Sequence, residues 1–398
     1  MELTLTHFAS RVRGLEAEGA YATLAKAQAY EAQGRAILHL EIGQPDIPTY
    51  EPIRRAGIRA IEEGYTRYTP SAGISQLREA IAKQAGEQRN LVFSADEVVV
   101  GPGAKPALFF PTLALVEAGD AVFYPDPGFP TYRAMIEVAG GVPVAVPLRE
   151  EEDFSFDLDV LERLIQAQIQ EGHRIRMIIL NSPSNPTGGV LGKMALERLA
   201  EIAEHYDCWL LSDEIYARLS YGEVIESIAS VPGMKARTII CDGFSKTYAM
   251  TGWRLGYGIM PVELARRVEL LLTHSIGCTA SFTQLAGLEA ISMPQDAVER
   301  TVKEYQRRRD ALVQGLNQLA GIRCRSPKGA FYVFPNISAY GKSSAWMADY
   351  LLDEAGVALL PGTAFGEFGE GYLRLCFANS MDNLLAAVER IGEALSKL

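Results

Sequence analysis

The sequence predicts an α/β fold: a large domain built on a mostly parallel seven-stranded sheet, with a smaller α+β domain beside it. Three observations carry this. Between about residues 50 and 290, short apolar runs alternate with amphipathic stretches. Strands that are apolar on both faces and separated by helices belong to parallel sheets covered on both sides. After Pro294 the order changes to one long charged helix followed by further short strands. Finally, 398 residues exceed the usual size of a single core and favour two domains.

In chain order, a helix at about Tyr21–Gln33 comes first, then a strand, Ile37–Glu41, ending in the turn Gly43-Gln44-Pro45-Asp46. The sheet strands follow: Glu97–Val100, Ala121–Tyr124, Val144–Val146, Met177–Asn181, Trp209–Ser212, Thr238–Asp242 and Leu255–Ile259. Helical stretches such as Lys105–Glu117 and Lys193–His205 lie between them. Beyond Pro294 come a helix over Asp296–Leu319, strands at Phe331–Phe334, Val357–Leu360 and Tyr372–Phe377, and a closing helix near Asp382–Lys397. The large domain is placed at residues 49–292. The small domain is expected to combine 1–48 with 293–398, the N-terminal helix packing on the C-terminal part.

Composition excludes several function classes. The chain is 48% hydrophobic and 22% charged, an ordinary globular balance. A net charge of −11 and scattered Lys and Arg offer no basic face to nucleic acid. Apolar stretches are broken well short of a membrane span. The start, MELTLTHFASRVRGLEAEG, has neither a signal-peptide apolar run nor the acid-poor character of a transit peptide, so the cytoplasm is expected. Five dispersed cysteines without a CxxC pair fit reduced thiols. No HxxxH or HExxH spacing occurs, and no metal site is expected.

Chemistry in an open α/β sheet collects at the carboxyl ends of the strands, and the chemistry-bearing loops here follow strands. Gly101-Pro102-Gly103-Ala104-Lys105 lies between a strand and a helix, where glycines free backbone N–H groups to meet a phosphate. Alone it is also what a tightly packed turn looks like. Asn181-Ser182-Pro183-Ser184-Asn185-Pro186-Thr187-Gly188 is a loop stiffened by two prolines that can hold Asn185 as an oriented donor, against the plainer reading of an Asn-Pro turn. Asp213 ends a buried strand, where a carboxylate needs a partner such as a protonated pyridine nitrogen. Alternation points its neighbour Glu214 the other way, as a structural group. Lys246 follows the buried strand Thr238–Asp242. An amine in a partly desolvated pocket is nucleophilic and suits Schiff-base chemistry, and Arg254 adds a bidentate fork for phosphate. Ser-Lys-Thr alone is equally a surface loop.

The run from Gly243 to Gly256, GFSKTYAMTGWRLG, resembles the pyridoxal-phosphate (PLP) attachment signature of class I aminotransferases at each constrained position. Asn185-Pro186-Thr187-Gly188 and Asp213-Glu214-Ile215-Tyr216 resemble the same family's cofactor motifs in order and spacing. Pro327–Tyr332, Pro361–Gly366 and Tyr372–Leu375 resemble its C-terminal domain. The likeness runs from about residue 18 to the end. It implies a fold type I PLP enzyme and an aminotransferase of the aspartate type, moving an amino group from an amino acid to a 2-oxo acid.

The resemblance also implies roles. Lys246 holds PLP as a Schiff base and then moves the substrate's α-proton. Asp213 pairs with the pyridine nitrogen, and Asn185 and Tyr216 donate to the ring's phenolate oxygen. Phe129 stacks on the ring. Gly103, Ala104, Lys105, Ser245 and Arg254 surround the phosphate, joined by Tyr68 from the other subunit of a homodimer. Gly243 stands where the family often has a serine, a departure that puts one phosphate hydroxyl in doubt. Arg374 grips the substrate α-carboxylate, with Gly43 opposite.

For the substrate side chain the reading stays open. Lys105 either reads a distal carboxylate, favouring aspartate or glutamate, or merely opens a helix. His274, where an asparagine is expected, and Tyr21 on the N-terminal helix are further substrate-facing candidates. The cofactor motifs equally suit β- or γ-replacement, cyclisation or oxidation by a PLP enzyme of a specialised pathway. An effector-binding module without catalysis is disfavoured by the intact Lys246 and the lack of a DNA-binding region.

Overall fold

The computed structural model describes residues 8–15, 19–222 and 224–398. Among the described residues twelve strands follow one another: β1 Leu38–His39, β2 Val98–Gly101, β3 Ala121–Asp126, β4 Val142–Pro147, β5 Ile175–Asn181, β6 Trp209–Asp213, β7 Thr238–Gly243, β8 Gly256–Ile259, β9 Tyr332–Val333, β10 Val357–Ala358, β11 Leu360–Pro361 and β12 Leu373–Cys376. Strands β2 to β8 form one seven-stranded sheet in the order β2-β8-β7-β6-β5-β3-β4, the predicted set. Pairs within β7-β6-β5-β3-β4 are parallel, while β8 runs antiparallel to both β7 and β2. A parallel return needs a crossover of a dozen or more residues, usually through a helix. Segment 244–255 forms no such helix, so the chain drops straight back beside β7.

The strands are almost wholly buried, as their apolar runs require. Helices cover both faces: Val122, Met177, Ile179 and Leu211 pack in one cluster, and Phe123, Ile178, Leu180 and Leu210 in another. Each such fully buried side chain contributes about 1.5–3 kcal/mol of transfer free energy. Helix Lys193–His205 has its predicted bounds, and Lys105–Leu115 ends two residues early.

The C-terminal part packs the long helix Asp296–Asn317 and the closing helix Met381–Leu395 around an antiparallel sheet, β11-β12-β9. The expected strand Val357–Leu360 is divided at Leu359. Val357 and Ala358 pair with β1, whereas Leu360 and Pro361 pair with β12, so the chain changes partner there. The β1–β10 pair ties the N-terminal segment to this part. Lys26 Nζ adds an ion pair to Asp349 at 2.7 Å, and the Tyr30 hydroxyl donates to Asp353 at 2.6 Å.

Register sets the level of the site. Asn181 on β5 lies beside Asp213 on β6, Asp213 beside Cys241 on β7, and Gly243 beside Gly256, which in turn neighbours Gly101 on β2. The Gly101–Lys105, Asn181–Gly188, Asp213–Tyr216 and Gly243–Arg254 segments therefore open at one edge of the sheet.

Candidate active site

Lys246 stands three residues beyond β7 and is partly buried. Its Nζ donates to the Gly43 carbonyl at 2.6 Å and lies 5.6 Å from the Phe331 ring and 5.8 Å from the Tyr216 ring. Burial draws the amine down to about 8, with Arg374 and Arg254 adding repulsion. The loop that carries it is pinned: Thr49 Oγ1 donates to the Ala249 carbonyl at 2.5 Å, and Trp253 Nε1 donates to Thr49 Oγ1 at 3.0 Å. Ala249 and Arg254 hold φ of 52° and 54°, a conformation costly for residues with a side chain and found where a site over-determines the backbone.

Asp213 is buried at the end of β6. Oδ2 accepts from the Tyr132 hydroxyl at 2.8 Å and Oδ1 from the Ile215 N–H at 3.2 Å. Burial pushes the carboxyl up to about 6 against those donors. No Lys, Arg or His among the described residues forms an ion pair with it. Glu214 turns the other way, as alternation predicts: its Oε2 takes Arg89 Nη2 at 2.6 Å, and its Oε1 takes the Ser227 and Ser212 hydroxyls at 2.5 and 3.0 Å.

Gly103 (φ 92°) opens helix Lys105–Leu115, and a β-carbon there would run into the Arg254 guanidinium. A β-carbon on Gly256 would strike the backbone of Gly103 and Ala104. Two glycines thus let the β2 and β8 segments close around one point. Arg254 reaches it with Nη1 on the Thr251 carbonyl at 2.9 Å and Nη2 near the Pro102 carbonyl at 3.5 Å. Ser245 is buried next to Lys246.

Arg374 lies on β12 and is buried. Its guanidinium carbon sits 4.4 Å from the Tyr332 ring and 4.8 Å from the Phe365 ring. Nη1 donates to Asn185 Oδ1 at 3.2 Å, Nη2 donates to the Glu41 carbonyl, and buried Nε has no partner among the described residues. Asn185, with its oxygen on Arg374, turns its amide N–H groups elsewhere. The Tyr216 and Tyr332 hydroxyls are 2.7 Å apart. Gly43 belongs here by necessity, since a β-carbon on it would collide with the Tyr332 hydroxyl. Its turn is held by Arg308 of the long helix, 2.8 Å from Asp46.

The structure therefore gathers Lys246, Gly43, Tyr216, Asn185 and Arg374 at one site; Asp213 and Gly103–Arg254 adjoin it through the strand register, and Phe129 through Tyr132, whose hydroxyl is on Asp213. Phe129 meets Tyr132 edge-on at 5.8 Å, and Lys105 Nζ lies 5.3 Å from the Phe129 ring. Tyr68 is 97% exposed and makes no part of this chain's own cleft. Its loop is anchored by Gln284 Nε2 on Thr69 Oγ1 at 3.0 Å, and by Thr273 Oγ1 on Ser71 Oγ at 2.8 Å, which brings exposed His274 to the same face. Tyr21, on helix Gly19–Glu31, is exposed as well.

Sequence reasoning missed Tyr132 and Tyr332. Tyr132 follows Phe129 by three residues, one helical turn, but a buried tyrosine in the first turn of a helix reads as core until its hydroxyl is seen on Asp213. Tyr332 lies inside the motif Pro327–Tyr332, but alternation alone does not say what its ring covers.

This donor set fits PLP. A buried carboxylate without an ion-pair partner suits a cationic ring nitrogen, a glycine cradle beside an arginine suits a phosphate, and a half-buried amine of lowered basicity suits an aldehyde. The family "Aminotransferase class I and II" matches residues 35–391. The chain is 41% identical to an aspartate aminotransferase of Pyrococcus horikoshii over 90% of each chain. It superposes on the aspartate aminotransferase of Thermus thermophilus, solved with maleate, at a TM-score of 0.91 with 36% identity, covering 98% of this chain and 99% of the other. An aromatic aminotransferase of P. horikoshii matches at a TM-score of 0.87 and 37% identity, over 93% and 98%.

Proposed function

This chain belongs to the class I and II aminotransferase family and is a PLP-dependent transaminase, and from that premise we propose that its amino donors are the dicarboxylic amino acids aspartate and glutamate, handled by the residues assigned below. The carrying observation is the convergence of Lys246 and Arg374 on one cleft, with Lys105 Nζ beside the Phe129 ring.

Bound PLP supplies a conjugated ring that takes up the electrons released when the substrate's α-proton leaves. Lys246 carries the cofactor and, as a free amine, moves that proton at Nζ, an acid–base role suited to a pKa near 8. Gly43 holds the amine through its carbonyl. Asp213, fixed by Tyr132, keeps a proton on the ring nitrogen; a preorganised charge in a dry site costs little reorganisation. Asn185 and Tyr216 donate to the ring's oxygen, and Phe129 covers its face. Gly103, Ala104, Lys105 through its backbone, Ser245 and Arg254 hold the phosphate. Arg374 grips the α-carboxylate and orients the α-carbon. His274 and Tyr21 face the substrate entrance.

Two chains share their sites in this reading. Tyr68 reaches the partner's phosphate, and exposed Ile58, Ile61, Tyr65, Leu270 and Ile276 make the apolar surface that a second copy covers. Residues 49–292 form the large PLP-binding domain, and 1–48 with 293–398 the small one. No described helix is long and apolar enough to cross a membrane. The described cysteines are unpaired, which suits the cytoplasm.

Steady-state kinetics with aspartate, glutamate, alanine and phenylalanine test the donor assignment. Lys105→Ala should lower kcat/KM for the two dicarboxylates about tenfold to hundredfold, the loss of one charge-assisted contact, and leave alanine and phenylalanine nearly unchanged. An equal loss for all four donors assigns Lys105 to the phosphate loop alone and removes the dicarboxylate reading.

A further inference from the structure

Asp126 closes β3 and is 3% exposed. It has no ion pair with a described cation. Its oxygens instead accept backbone N–H groups from the C-terminal part of the chain: Oδ2 from Glu367 at 3.2 Å and Oδ1 from Phe368 at 3.1 Å. Two residues further on, the Gly128 N–H donates to the Phe365 carbonyl at 2.7 Å. Gly366 allows this approach, since a β-carbon on it would fall on the Asp126 carboxyl, and its φ of 127° favours glycine. The ring of Phe365 is one of the two that flank the Arg374 guanidinium. Burial, reinforced by nearby Glu367 and opposed by Arg133 and the two N–H donors, pushes this carboxyl up to about 6. Such a group is costly to bury without a cation, and here it holds only a loop.

We propose that Asp126 is a positioning residue for substrate binding: it fastens the Phe365–Phe368 loop to the end of β3 and so sets the ring against which Arg374 presents its guanidinium to the α-carboxylate. The same segment leads to Phe129, so the ring assigned to the cofactor and the arginine assigned to the substrate are held in register by one short stretch. Asp126 touches neither substrate nor cofactor. The inference rests on the assignment of Arg374 to the α-carboxylate.

Asp126→Asn in the PLP-loaded enzyme keeps the shape but sets an amide donor against a backbone donor. It should raise KM for aspartate and alanine alike about tenfold, the scale of one lost charge-assisted hydrogen bond, while kcat, the visible spectrum and PLP affinity stay near wild type. Turnover of phenethylamine, which lacks an α-carboxylate, should not change. In an Arg374→Ala background Asp126→Asn should add nothing, because residues acting through one another are not additive. Phe365→Leu, which removes the ring and spares the carboxylate, should reproduce the KM effect and carries the test if Asp126→Asn does not fold. A uniform loss for amino acids and phenethylamine, or a lower melting temperature with unchanged KM, overturns the proposal. If Arg374→Ala itself weakens phenethylamine as much as aspartate, the Arg374 assignment fails instead.

Discussion

Lys246 and Asp213 meet the same loss of water with opposite consequences. Burial moves the amine down to about 8 and the carboxyl up to about 6, in each case disfavouring the charged form. For Lys246 the folded value lies below the unfolded one, so the site without PLP is penalised below pH 8 and recovers stability as pH rises from about 8 towards 10.5. For Asp213 the folded value lies above the unfolded one, and stability is lost as pH rises from about 4 to 6. Near neutrality both groups are therefore held at a cost that a cofactor presenting an aldehyde and a cationic nitrogen relieves. A kinetic consequence follows for Lys246. At pH 7 about a tenth of the amine is neutral, against well under a hundredth at its ordinary pKa. Recombination of the PLP-free protein with PLP, followed by absorbance, should accelerate with pH and level off just above pH 8. A rate still climbing about tenfold per unit through pH 9–10 would show an ordinary lysine.

Elements were legible where one physical signal dominated. All seven sheet strands were readable, because a strand buried on both faces must be apolar throughout, and helix Lys193–His205 because its buried residues Leu196, Leu199, Ala200 and Ala203 recur at helical spacing. The apolar run Val357–Leu360 reads as one continuous strand, because a change of partner at Leu359 leaves no mark on hydropathy. The direction of β8 was likewise hidden, since a buried strand looks the same either way up. For the candidate site, Asp213 at the end of a buried strand and Asn185, Lys246 and Arg254 in the loops that follow strands can be singled out on physical grounds. Phe129, Arg374, Gly43 and Tyr68 came only with the resemblance, because an aromatic near a helix start, an arginine on a strand, a glycine in a turn and an exposed tyrosine each have commoner uses. Tyr132, Tyr332 and Asp126 act on other side chains or loops, and that kind of role depends on three-dimensional contact alone.

For the whole molecule, the exposed loop at Tyr68 gives the reading a consequence for assembly. Tyr68 lies outside its own chain's cleft, so mixing Tyr68→Ala and Lys246→Ala proteins and allowing subunit exchange should restore activity from a minority of sites that combine an intact Lys246 with the partner's intact tyrosine. Light scattering should give twice the mass of one chain, and a fully active monomer would contradict shared sites. Every assignment, at each scale, turns on Lys246 as the cofactor's point of attachment. The most direct test is to purify the protein with PLP, reduce it with borohydride and map the peptides by mass spectrometry. The account predicts a yellow protein whose label falls on Lys246 alone, and a Lys246→Ala variant that takes none. Label on a different lysine, with Lys246 unmodified, would contradict it.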